Sequence, residues 1–158
     1  MKLNIAKLVA AIVICEFAGI FGSLFTYSKI PTWYATLAKP EFAPPNWIFG
    51  PVWITLFALM GIALYVIWNK GLTDKKNKQA VMFFAAQLVL NALWSLLFFG
   101  LESPFYGFVG IAALWIAIVL TIWKFWKIDR NAAFLLLPYI AWVSFAAAVN
   151  YAVWILNP

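Results

Sequence analysis

Polar positions are few along this chain and fall into short clusters. Between them lie five long, predominantly apolar runs, at residues 5–27, 47–68, 80–99, 104–126 and 132–156. Each is close to the ~20 residues that a helix needs to cross the hydrocarbon core of a bilayer. None alternates with a period of two, and each is about twice as long as a membrane-spanning strand. The pattern predicts an all-α integral membrane protein, a bundle of five transmembrane helices in a single domain over 1–158. Residues 28–46 form its longest connection.

Charge gives this bundle a direction. With five spans, the N-terminus (Lys2, Lys7) shares a side with the second connection (Lys70, Lys75, Lys76, Lys78) and the fourth (Lys124, Lys127, Arg130). The other side carries only Lys29 and Lys39. Basic residues accumulate on the cytoplasmic side, so the N-terminus is expected inside, the C-terminus outside, and 28–46 as an outer loop. Lys2 and Lys7 also give the first run a positive start like that of a secretory signal. Ile14 is too bulky for a cleavage site before Cys15, however, and the apolar run continues past it, so a retained helix is expected. An Arg- and Ser-rich transit segment is not seen, which points to the cell membrane of a bacterium, crossed several times.

Composition narrows the chemistry. The chain is 66% hydrophobic and 10% charged, against about half and a quarter in soluble domains. Its net charge of +6 lies in short loops rather than on a folded basic face, so nucleic acid is not an expected partner. With no His and a single cysteine, Cys15, neither a metal site nor an internal disulfide is expected, and no cofactor. Ten tryptophans are more than an interfacial belt needs.

Polar residues inside the spans are the first functional candidates. Glu16 is the one acid or base deep within a run, and such groups are costly in a membrane. It reads either as a protonated carboxyl bonded to another helix or as a site for a proton or a cationic substrate. In the third run, Gln87, Asn91, Trp94 and Ser95 share one helical face. Asn91 there serves either an interhelical hydrogen bond or a ligand. In the fifth run, Pro138 should loosen the helix. Tyr139, Trp142, Ala146 and Asn150 follow on one face, fitting close helix packing or an aromatic shelf for a flat ligand. Ala18, Gly19, Gly22 and Ser23 suit helix contact in the first run.

The stretch LAKPEFAPPNWIFGPVW, residues 37–53, joins a stiff proline-rich loop to a helix. Asn46 is placed to cap that helix, and Pro51 falls in its first turns, where a missing N–H costs least. Trp47, Phe49 and Trp53 crowd its outer end, backed by Trp33 and Tyr34. Trp68, Trp123, Trp126 and Trp154 lie near run ends and suit headgroup anchoring. Trp94 and Trp142 lie deeper. Aromatic walls with a few placed polar groups suit a flat, largely apolar small molecule.

WYATLAKPEFAPPNWIFGPVWITLFALMGIALYVIW, with QLVLNALWSLLFFG and LLPYIAWVSFAAAVNYAVW, resembles the translocator-protein family, also called tryptophan-rich sensory proteins or peripheral benzodiazepine receptors. The similarity covers almost the whole chain. It implies a five-helix bundle, often a homodimer, with a pocket under the first loop. It implies binding of porphyrins such as protoporphyrin IX, and of isoquinoline carboxamide and benzodiazepine ligands, with a link to tetrapyrrole regulation. Carried over by motif, the pocket would use Trp47, Phe49, Trp53, Asn91, Trp94, Trp142, Phe145 and Ala146. Some members are reported to degrade protoporphyrin in light, and that chemistry would rest on Trp53 or Trp47 with Trp142. The sterol motif of animal members requires a basic residue shortly after Tyr151, which this sequence lacks, so a sterol is not the expected ligand.

Three functions stand as expectations. The first is a membrane receptor or sensor for porphyrins, with lipid as its surroundings. The second is a light-dependent porphyrin-degrading enzyme. The third is a small-molecule transporter, which would need Glu16.

Overall fold

The computed structural model describes residues 3–158, so Lys2 of the basic cluster lies outside the described residues. Five helical stretches are long and apolar enough to cross a membrane: Ile5–Thr26, Asn46–Asn69, Lys75–Gly100, Pro104–Trp126 and Arg130–Leu156. Among the described residues there is no strand. The five-helix membrane bundle expected from the apolar runs is borne out.

The first span is helix α1 (Ile5–Thr26), capped by Asn4, whose side chain accepts from the Lys7 backbone N–H at 3.0 Å. A single turn, α2 (Trp33–Thr36), lies in the first connection. The second span opens with a 3₁₀ turn, Asn46–Ile48, and continues as α3 (Phe49–Asn69). The sequence suggests Asn46 as the cap, but its side chain makes no capping bond. Pro45, with extended backbone, precedes the turn, and its carbonyl accepts from Ile48 instead. Asp74 caps α4 (Lys75–Ser95), so this helix begins before its apolar run does. Ser103 caps α5 (Pro104–Trp126), with Pro104 in its first turn, where a proline fits.

The fifth span is broken, as Pro138 predicts. Asp129 caps α6 (Arg130–Phe134), and α7 (Leu137–Leu156) starts afresh with Pro138 in its first turn. Asp129 also pairs with Lys70 at 2.8 Å, tying the second connection to the fourth. The hydrogen bond from Lys70 holds the Asp129 carboxyl below its usual range.

Helix α1 packs against α3 and α4, α4 against α5, and α5 against α7, while α3 also reaches α4, α6 and α7. Small residues set the closest approaches. A Cβ on Gly61 of α3 would lie 2.5 Å from the Ile12 Cα of α1, and a backbone atom cannot swing aside. Gly61→Ala is therefore expected to push α1 off α3 and to destabilise the bundle by about 1–3 kcal/mol, the usual cost of overpacking. Unfolding in mixed micelles measures this, and an unchanged midpoint would contradict the packing described. A Cβ on Gly19 would meet the Phe57 ring at 2.5 Å. Gly19 thus allows α1 to lie close to α3, while Gly19, Gly22 and Ser23 also border a cavity between α1, α3 and α4.

The third span is irregular near its end. After Ser95 it widens into a π-helical segment, Leu96–Gly100, closed by the Leu101 N–H donating to the Leu96 carbonyl at 2.8 Å. The wider turn brings the adjacent Phe98 and Phe99 both into the interior. The chain then turns at Glu102, which has a left-handed backbone (φ 51°) uncommon for a residue other than glycine.

Candidate functional site

The end of the bundle that carries the first connection is dense in aromatic rings. Trp33 and Tyr34 of the α2 turn pack on Phe98 and Phe99, with centroid separations of 5.4–6.3 Å. Tyr34 is buried, and burial pushes its phenol above the ordinary value. Lys39 folds back over the Tyr34 ring at 4.8 Å and donates to the Tyr34 carbonyl at 2.8 Å. Two clasps hold this connection down. Lys29 forms an ion pair with Glu102. Asn157 pairs with the backbone of Ala38 like a strand neighbour, accepting from its N–H at 3.0 Å and donating to its carbonyl at 2.9 Å.

Beneath lies a half-open cavity of about 350 Å³ between α1, α3 and α4. Its volume is within the range of small-molecule sites. Phe49, Trp53 and Phe57 of α3 form one wall, and Asn91, Trp94 and Phe99 form another. Helix α1 contributes Gly19, Gly22, Ser23 and the carboxyl-bearing Glu16. Trp53 is central to this wall, with its ring 5.6 Å from Phe57 and 6.4 Å from both Trp94 and Tyr139. A second cavity of about 30 Å³ is lined by Trp142, Phe145, Ala146 and Asn150, and shares Phe49, Trp94 and Phe99 with the first.

The eight residues proposed from the sequence fall into three places. Phe49, Trp53, Asn91 and Trp94 line the larger cavity. Trp142, Phe145 and Ala146 line the smaller one, with the Trp142 ring 6.1 Å from Phe49. Trp47 lines neither and is 72% exposed. Phe57, Phe99, Ser23 and Glu16 join the cavity from outside that set. Glu16 stands out in the sequence as an acid deep in a span, but nothing in its spacing links it to Trp53. Phe99 depends on the π turn.

Polar groups behind the rings are tied into chains. Asn91 donates to the Tyr139 hydroxyl at 2.8 Å, and that hydroxyl donates to Gln87 Oε1 at 2.8 Å. Trp94 Nε1 donates to Asn150 Oδ1 at 3.2 Å, and Asn150 donates to the Pro104 carbonyl at 2.8 Å. Two buried donors have no partner among the described residues, Gln87 Nε2 and Trp142 Nε1. Buried donors are nearly always paired, so these two are exceptions in the interior, and the Trp142 side chain that carries one of them belongs to the smaller cavity. Among the described residues no cluster of His, Cys, Asp or Glu is fit to hold a metal ion.

Comparison with known proteins agrees along the whole length. Residues 11–155 match the sequence model of the TspO/MBR family. The chain is 48% identical to the tryptophan-rich protein TspO of Archaeoglobus fulgidus, over 98% of this chain and 99% of that one. It is 37% identical to the translocator protein of Homo sapiens, over 84% and 79% of the two chains. With the tryptophan-rich sensory protein of Cereibacter sphaeroides the identity is 31%, over 99% and 95%.

Proposed function

The chain belongs to the TspO/MBR family, and on that premise we propose that it is a membrane receptor or sensor that binds a flat tetrapyrrole of the protoporphyrin type in the cavity under its first connection. Isoquinoline- and benzodiazepine-type molecules would occupy the same space. The observation that carries this reading is the cavity of about 350 Å³ walled by Phe49, Trp53, Phe57, Trp94 and Phe99. Flat rings stack on such walls, and each aromatic pair adds about 0.5–1.5 kcal/mol beyond area burial. The half-open side lets a macrocycle extend beyond the protein wall into lipid.

The reading includes an orientation, with the first connection outside and the N-terminus in the cytoplasm of a bacterial cell. Its support is the basic cluster Lys7, Lys70, Lys75, Lys76, Lys78, Lys124, Lys127 and Arg130 at the opposite end. At the first-connection end, Lys29 is already paired with Glu102 and Lys39 is folded on Tyr34.

A second reading is light-dependent breakdown of the bound porphyrin. It is favoured by the proximity of two indoles on the same cavity, Trp53 and Trp94, 6.4 Å apart. An indole beside an excited porphyrin can be oxidised without any acid–base pair. Titration of the purified protein with protoporphyrin in the dark tests binding: saturable quenching of tryptophan fluorescence is expected, and a merely linear decrease would overturn it. Illumination in air then separates the readings. Porphyrin loss faster than in a protein-free control indicates turnover, and equal loss leaves a binder.

A further inference from the structure

The larger cavity has an uneven electrostatic make-up. Among the described residues Glu16 is its only carboxyl group, and no Lys or Arg lines it. Glu16 makes no hydrogen bond or ion pair with another described residue. It lies ten residues before Thr26, the end of α1, which is about 15 Å along a helix axis and roughly half the thickness of the hydrocarbon core. A carboxylate at such depth is costly unless something pairs with it. No described protein group supplies that partner, so Glu16 is held ionised only when a cation occupies the cavity, and is otherwise neutralised by a proton. The remaining walls favour the same kind of occupant. Trp53, Phe57 and Trp94 present ring surfaces that attract cations, and Ser23 and Asn91 contribute small polar groups.

We infer that Glu16 sets the charge preference of this cavity, and that its preferred occupants are flat aromatic molecules carrying a positive charge, such as aromatic amines. This rests on the cavity being a ligand site and adds which ligands it takes. The carboxylate pairs with the cation while the rings stack on the aromatic wall. An anionic group on the same ring system is disfavoured near Glu16 and has to face the mouth, away from α1.

Three probes of one shape test this with the full chain in detergent: N-methylacridinium, which is a permanent cation, acridine, uncharged above neutral pH, and acridine-9-carboxylate. Quenching of probe fluorescence reports binding. The native protein is expected to bind the cation about tenfold more tightly than acridine, the scale of one close ion pair. Glu16→Gln, close in shape, is expected to erase that preference, to leave acridine within about twofold, and to tighten the carboxylate. Glu16→Asp keeps the charge and is expected to keep the preference. A cation preference unchanged in Glu16→Gln overturns the inference while leaving the cavity as a binding site. If acridine and N-methylacridinium both fail to bind saturably, the binding-site reading falls with it.

Discussion

Trp53→Ala is expected to weaken protoporphyrin binding about 30-fold, the scale of one aromatic anchor in a small-molecule contact. Trp53 stands at the end of the bundle where α3 meets the first connection, and its ring contacts Phe57, Trp94 and Tyr139. Truncation removes the ligand's stacking partner and also unsettles the Trp94 ring behind it. Trp53→Phe keeps a ring in place and should cost only about threefold, in line with the modest worth of a single aromatic pair. Trp47→Ala is the informative companion, because Trp47 is on the same helical end but 72% exposed and outside both cavities. Dark titration of the three variants checks the ordering. A loss in Trp47→Ala as large as that in Trp53→Ala would move the ligand to the surface of the bundle.

Tyr139→Phe is expected to have the largest effect on stability among single-atom deletions near the site. The Tyr139 side chain is fully buried and its hydroxyl joins α4 to α7, accepting from Asn91 and donating to Gln87. Removing the oxygen leaves Asn91 Nδ2 and Gln87 Oε1 without that partner, and Gln87 Nε2 already has none. Interhelical hydrogen bonds in membrane proteins average about 0.6 kcal/mol, because the unfolded chain in lipid also finds partners. Orphaned buried groups cost more, about 1–3 kcal/mol each. The expected loss is about 1–3 kcal/mol in total, read as an earlier unfolding midpoint in mixed micelles. An unchanged midpoint would mean that Asn91 and Gln87 find each other or water at no cost. The same variant frees Asn91 toward the cavity, so a gain in affinity for ligands with an acceptor edge should accompany the loss of stability.

The apolar runs make the architecture readable, since a helix crossing lipid needs about 20 predominantly apolar residues and nothing else of that length fits. Pro138 locates the break before α7 for an equally local reason, its missing N–H. Helical spacing also places Asn91 and Trp94 on one face, and the structure sets them beside Phe49 and Trp53 around one cavity. The features that stay hidden in the sequence depend on longer range or on backbone choices with no residue signature. LLFFG carries no mark of a π turn, yet that turn brings Phe99 into the cavity. The Asn157 clasp on Ala38 joins positions 119 residues apart. Asn46 has the right chemistry for a cap, but the rigid Pro44–Pro45 approach delivers the chain into a 3₁₀ turn instead. Glu16 is conspicuous in the sequence, but only the packing of α1 on α3 and α4 gives it a cavity to face.

The most direct measurement is a structure of the protein with protoporphyrin bound. The macrocycle is predicted to lie between α1, α3 and α4, stacked on Trp53 and Trp94 beneath the α2 turn. A macrocycle held elsewhere, out of contact with Trp53, would contradict this account.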